Sequence, residues 1–168
     1  MKLGEIVCPN GSREQKEQAG NKIKKQFMKS NPAIADLINA IKKVAKDTKF
    51  VVDLDGNSLY IRSEHSAPNL VLQSCGAIVM KYWAVEVDEA LQDAGYENSD
   101  DVLHTGRTHD YENVLNIHDE AQLEVRAEIA DEVANIMQES FNITGLKLEM
   151  NIPIDGESKV GINWSETH

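Results

Sequence analysis

An apolar run, Val114-Leu115-Asn116-Ile117, breaks at His118-Asp119-Glu120 and resumes as Ala121-Gln122-Leu123-Glu124-Val125, with apolar residues at alternate positions. That pattern predicts a hairpin. Carboxylates at the tip of a tight hairpin escape burial in the sheet yet are held rigidly by it, which is what a divalent cation asks of its oxygen ligands. Asp and Glu are also ordinary turn residues, so the turn alone leaves metal chemistry and a solvated turn both open.

A second constellation lies upstream. His65, Asn69 and Gln73 are spaced four apart, so on a helix they advance by only about 40° per step and form one polar stripe at the start of an otherwise apolar helix. Such a row of donors and acceptors can follow base edges along a minor groove, where acceptors recur irrespective of sequence. A solvated first helical turn is the plain alternative. Arg62, just before the row, suits a phosphate contact or an ordinary surface position. His104, His109, Asp110 and His118 invite comparison with a zinc site, but they lack the close ligand pairs and cysteines of structural zinc.

The elements that must position these residues can be read from periodicity. Ser12 to about Lys29 is polar, with Lys22, Lys24, Lys25 and Lys29 near its end, where cations suit a helix dipole. Ser30-Asn31-Pro32 reads as a cap with proline at the first helical position. Ile34, Leu37, Ile38, Ile41, Val44 and Ala45 then form one helical stripe that must pack on something. Phe50-Val51-Val52 and Leu59-Tyr60-Ile61 flank Asp55-Gly56, a strong hairpin signal. A long helix from about Ala67 to Asp93 comes next, apolar on more than one face and so expected to be central and well buried. Tyr96 to Tyr111 reads as an irregular loop. After the His118-Asp119-Glu120 hairpin comes an amphipathic helix carrying Ile129, Val133, Ile136, Met137 and Phe141. Leu146–Ile154 and Lys159–Trp164 read as strands around Asp155-Gly156. The fold class is α+β: an antiparallel sheet backed by long helices.

Composition sets the bounds. The chain has 168 residues, enough for a substantial core, and a net charge of −11. Its charge is uneven: residues 1–50 carry a balance of +6 and residues 51–168 one of −17. A basic head on an acidic body fits a phosphate-facing segment beside a carboxylate-rich half, or simply a lysine-rich solvated helix. Cys8 and Cys75 are isolated, which suggests a reducing cytoplasm without a disulfide framework. The N-terminus has no signal-peptide profile, and no apolar run reads as a membrane span.

Taken together, Arg62-Ser63-x-His65-x-x-x-Asn69-x-x-x-Gln73-Ser74-x-Gly76-Ala77, then His118-Asp119-Glu120, then Gly161-x-Asn163-Trp164-x-x-x-His168 resemble the C-terminal part of family A (DNA polymerase I-like) DNA polymerases. The likeness is greatest to the replicative enzymes of short-tailed bacteriophages. Gly4-Glu5-Ile6-Val7 and Asn31-Pro32-Ala33-Ile34-Ala35 look like the segment that follows the fingers, so the resemblance covers nearly the whole chain. It implies a partial polymerase palm, with residues 1–50 a basic helical segment after the fingers and 51–168 the C-terminal palm portion. It implies that Asp119 is one of two aspartates holding two magnesium ions, with Glu120 supporting them, and that His118 touches the primer terminus. It implies that Arg62, His65, Asn69 and Gln73 contact primer-template DNA, and that deoxynucleoside triphosphates are the substrates.

The departures from the family are equally informative. The first metal-binding motif, the fingers helix, the thumb and any exonuclease domain have no counterpart in this sequence; Asp53-Leu54-Asp55 lies where the family has no metal ligand. One aspartate cannot assemble a two-metal centre, so the chain alone is expected not to polymerise. The leading expectation is a split polymerase, with Met1 opening its own reading frame and a second polypeptide supplying the missing parts, in the cytoplasm of a phage-infected bacterium and away from membranes. The alternatives are an inactive truncated fragment and a non-catalytic DNA-binding or regulatory module with a palm-like fold. For the tail, Asn163-Trp164 and His168 either return to the palm as in the family, or Trp164 anchors a last core strand and His168 frays.

Overall fold

The computed structural model describes residues 2–98 and 109–167, so His104, most of the expected loop and His168 lie outside the described residues. The chain forms two compact units, Met1–Val71 and Leu72–His168.

The first unit begins with α1 (Lys2–Val7) and α2 (Arg13–Ser30). Ser12 caps α2 reciprocally: its hydroxyl accepts from the Gln15 amide at 3.3 Å, and its own amide donates to the Gln15 side chain at 2.8 Å. α2 buries no residue. Its backbone lies close to that of α1: a Cβ on Gly4 would lie 1.8 Å from the Lys16 carbonyl oxygen, and one on Gly20 would lie 3.2 Å from the Gly4 nitrogen.

α3 (Pro32–Thr48) starts with proline in its first turn. Asn31 does not cap it through its side chain as expected; that amide donates backwards to the Phe27 carbonyl at 2.9 Å and finishes α2. Only the far end of the α3 stripe packs. Ala45 and Ile41 join Val51, Ile61, Ala67, Leu59, Leu70 and Val71 in a small core, whereas Ile34, Leu37 and Val44 are exposed. β1 (Phe50–Val52) and β2 (Ser58–Tyr60) form the expected antiparallel hairpin. Its turn explains Asp53-Leu54-Asp55: one Asp53 carboxylate oxygen accepts from the amides of Asp55 and Asn57, at 3.1 and 2.8 Å. Gly56 takes the positive φ of 82° the turn requires.

α4 (Ala67–Asp93) has the bounds the sequence suggests. It ends in a Schellman arrangement, with Gly95 at φ 90° and the Tyr96 amide bonded to the Leu91 carbonyl. Its burial differs from expectation. Ile78, Trp83, Val87 and Leu91 are buried, while Leu72, Tyr82 and Val85 are exposed, so its apolar residues outnumber those that the described residues cover. By length and composition it is also the one described helix that is apolar enough to cross a membrane, which corrects the sequence reading that no run is. The core helix of a globular protein passes that test too.

In the second unit, β3 (Tyr111–Ile117) and β4 (Glu120–Val125) pair antiparallel, a 3-10 turn spans Ala127–Ile129, and α5 (Ala130–Lys147) comes after it. The core joins Trp83, Val87, Leu91, Tyr111 and Val133, with Ala121, Leu123 and Val125 packed from the hairpin. Trp83 stacks on Phe141 with ring centroids 4.8 Å apart, and its indole N–H donates to the Met137 carbonyl at 2.8 Å.

The expected C-terminal strands do not form. α5 runs on through Leu146 and Lys147 and ends in a second Schellman turn, with Glu149 at φ 51° and the Met150 amide bonded to the Gly145 carbonyl. The rest of the tail has no regular structure until α6 (Trp164–Thr167). Alternating apolar residues make a strand only where an edge accepts the backbone, and none pairs with this tail among the described residues. Trp164 opens a helix and is 51% exposed, so it anchors no core strand. The architecture is α+β, with two separate hairpins in place of one sheet.

Candidate active site on the second hairpin

The tip of the β3–β4 hairpin is a turn of His118 and Asp119, with Ile117 paired to Glu120. His118 takes φ 49°, the positive value that two-residue hairpin turns need at their first position. Asp119 is exposed at the apex. Glu120 is already strand, half-buried, and its carboxylate accepts a 2.6 Å hydrogen bond from Nε2 of Gln122, two residues on along the same face. Gln122 in turn accepts from the Thr167 hydroxyl at 3.2 Å. Neither Gln122 nor Thr167 stood out in the sequence; their separation of 45 residues hides the contact.

The base of the hairpin is fixed by a polar clamp. The buried Tyr111 phenol donates to Asp88 at 2.6 Å, and Asp88 also accepts from Asn98 at 3.0 Å and Gln92 at 2.8 Å. Burial first, and the Asp88 carboxylate second, push the Tyr111 phenol up to about 12. Asp110 accepts from the Glu97 amide at 2.9 Å and from Arg126 at 2.9 Å. The backbone donor chiefly, aided by Arg126, holds its carboxyl below the ordinary aspartate value. On α4, Glu86 is nearly buried and makes an ion pair with Lys147.

An open cavity of about 1360 Å³ runs beside the hairpin. Asp119, Glu120 and Gln122 line it from the strands, Phe141 from α5, and Ile162 and Trp164 from the tail. Asn163 accepts from the Ser165 amide at 3.0 Å, and Glu166 folds back to accept from the Ile162 amide at 3.0 Å. A Cβ on Gly161 would lie 2.7 Å from that of Glu166, so the Gly-x-Asn-Trp motif is a local capping device.

The upstream row is only partly helical. Asn69 and Gln73 are exposed on α4, but His65 lies in the turn that precedes it, so helical spacing relates only Asn69 to Gln73. Arg62 is exposed just before that turn. The basic residues Lys22, Lys24, Lys25 and Lys29 are all exposed on α2.

Asp119 and Glu120 offer hard oxygen ligands of the kind magnesium takes. By donor type they fit; by number they do not suffice. Among the described residues no group of three or more His, Cys, Asp or Glu is placed to hold a metal ion.

The family model of DNA polymerase family A matches residues 12–166. The chain is 31% identical to a DNA-directed DNA polymerase of Enterobacteria phage T3 and 30% identical to that of Escherichia phage T7, in each case over 99% of this chain and 24% of the relative. It is 27% identical to DNA polymerase I of Pseudomonas aeruginosa over 82% of this chain and 15% of that protein. The fold matches the POL domain of Pol1 from M. smegmatis, solved in complex with DNA primer-template and dNTP, with a TM-score of 0.62 at 19% identity over 83% of this chain and 23% of that one. The chain thus spans about a quarter of the length of the phage relatives it matches.

Proposed function

Since the chain belongs to DNA polymerase family A, we propose that it is the C-terminal, palm-forming portion of a template-directed DNA polymerase. In this reading a second polypeptide supplies the fingers, the thumb and the first metal-binding aspartate. Residues 1–50 follow the fingers and 51–168 complete the palm. The observation that carries the reading is an exposed Asp119 at the apex of a two-residue turn, inside a family match that runs from residue 12 to 166.

The roles derive from chemistry and placement. Asp119 and Glu120 hold magnesium together with a carboxylate from the second polypeptide. Magnesium, when bound, supplies Lewis-acid stabilisation of the charge that builds up as a nucleotide is transferred. Asp119 is exposed in the turn, while Glu120 is restrained by Gln122. His118, pinned by the turn, orients the primer end. Asn69 and Gln73 offer amide donors and acceptors to the minor-groove edge of the duplex, with His65 and Arg62 placed just before them along the chain. Exposed apolar residues on α3 and α4, among them Leu37, Leu72 and Val85, form the surfaces that the second polypeptide covers.

The test is a pull-down of tagged chain from its native cells, with primer extension on the eluate. A co-purifying larger protein and synthesis that disappears with Asp119→Asn is the expected result. Synthesis by the isolated chain overturns the need for a second polypeptide. Synthesis unchanged in Asp119→Asn removes the catalytic role and favours a binding module. An eluate without partner or activity favours an inactive fragment.

A further inference from the structure

We infer that Gln122 is a positioning residue for Glu120, and that Thr167 restrains it from the other end of its amide. This rests on the reading of Glu120 as part of the metal-binding site.

A glutamine amide has a donor end and an acceptor end, and which of them faces a neighbour depends on the partners available. An ionised carboxylate only accepts, so the amide nitrogen of Gln122 must face Glu120, as it does at 2.6 Å. The amide oxygen then points away, where the Thr167 hydroxyl donates to it at 3.2 Å. The same hydroxyl lies 3.1 Å from the Trp164 carbonyl inside α6. It has one proton for these two acceptors. Donation to Gln122 locks the amide with its nitrogen on Glu120. Donation to Trp164 leaves the amide held from the Glu120 side alone, so that both side chains can swing together. Glu120 is thereby held by a relay of two side chains whose anchor is a four-residue helix at the end of the chain. Both intervening bonds are partly buried, so water competes weakly for them. Side chains that hold metal ligands in place in this way typically affect activity by roughly 10- to 100-fold when removed.

The experiment has two arms on the full chain. In the first, the side-chain amide resonances of Gln122 are tracked by nitrogen-edited NMR. Thr167→Val shifts or broadens them, and Thr167→Ser, which keeps the hydroxyl, restores them, while backbone amides of the hairpin stay in place. Resonances indifferent to Thr167→Val overturn the relay whatever the activity. In the second, tagged chain is recovered with its partner from native cells and assayed by primer extension. Gln122→Met, similar in shape but unable to donate, lowers kcat by about tenfold with KM for primer-template unchanged. A normal kcat in Gln122→Met overturns the positioning role. An intact NMR coupling alongside synthesis that is indifferent to Asp119→Asn condemns the catalytic reading of the hairpin and leaves the relay standing.

Discussion

Replacing Tyr111 by phenylalanine tests the clamp at the base of the hairpin. The ring is 2% exposed and stays buried after the change, so no apolar area is lost. What goes is a 2.6 Å hydrogen bond to an aspartate. Hydrogen bonds to charged groups are worth about 1.5–3 kcal/mol. Asp88 keeps two other donors, Asn98 and Gln92, so the carboxylate is not left bare and the cost falls at the lower end, roughly 1.5–2 kcal/mol. That is about a 10- to 30-fold change in the folding equilibrium. The assay is urea unfolding monitored by fluorescence in a Trp164→Phe background, so that Trp83, in the same core, is the reporter. The pH dependence supplies a second handle. The phenol is raised from its ordinary 10.0 to about 12 in the folded chain. Its contribution is therefore whole below about pH 10 and is lost as the pH climbs towards 12. The gap between parent and variant should be constant near neutrality and close over that interval. Equal stability at pH 7, or a gap that persists unchanged to pH 12, refutes the reasoning.

Other perturbations read other parts of the fold. Gly4→Ala drives a methyl group against the Lys16 carbonyl at 1.8 Å, and backbone cannot yield as a side chain can. It should cost about 3 kcal/mol or more, seen as loss of hydrogen-exchange protection across α1. Glu149→Gly relieves a left-handed φ of 51° at the end of α5 and should stabilise the chain by roughly 0.5–1 kcal/mol in urea melts. Asp110 has a depressed carboxyl, so its contribution is present above its ordinary value of 3.8 and fades as the pH falls below it. Asp110→Asn should therefore be less stable than the parent at pH 6, with the two melting temperatures converging as the pH is lowered towards 2.

Much of this fold is legible because its signals are local. Proline at 32, Asp55-Gly56 and Gly95 punctuate the chain where elements begin and end, and the alternation of Ala121, Leu123 and Val125 identifies the core face of β4. The tail misleads for a physical reason. Met150, Ile152 and Ile154 alternate like a strand, but Glu149 accepts a left-handed conformation that closes a helix, and no described strand edge receives these three residues. α4 is overestimated as a core element because apolar composition records what a helix can bury, not what the described residues cover, as the exposed Leu72, Tyr82 and Val85 show. In the candidate site, Asp119 and Glu120 announce themselves by type and position. Gln122 and Thr167 do not, since a hydrogen bond across 45 residues leaves no periodic trace.

Val114 has an effect on the hairpin that its side chain does not reveal. Pairing runs Asn113 to Leu123 and then Leu115 to Gln122, which leaves Val114 as an extra, unpaired residue in β3. Below it, Tyr111 and Asn113 share a face with the core residues Val125 and Leu123; above it, Leu115 and Ile117 sit opposite Gln122 and Glu120. Pairing Leu115 rather than Val114 with Gln122 puts Leu115 and Ile117 on the face that carries Glu120, where an unbroken ladder would have put Val114 and Asn116. Val114 also works as a spacer. With Val114 removed, Leu115 would inherit the next rung of the ladder and every pair up to Ile117 and Glu120 would stand as before.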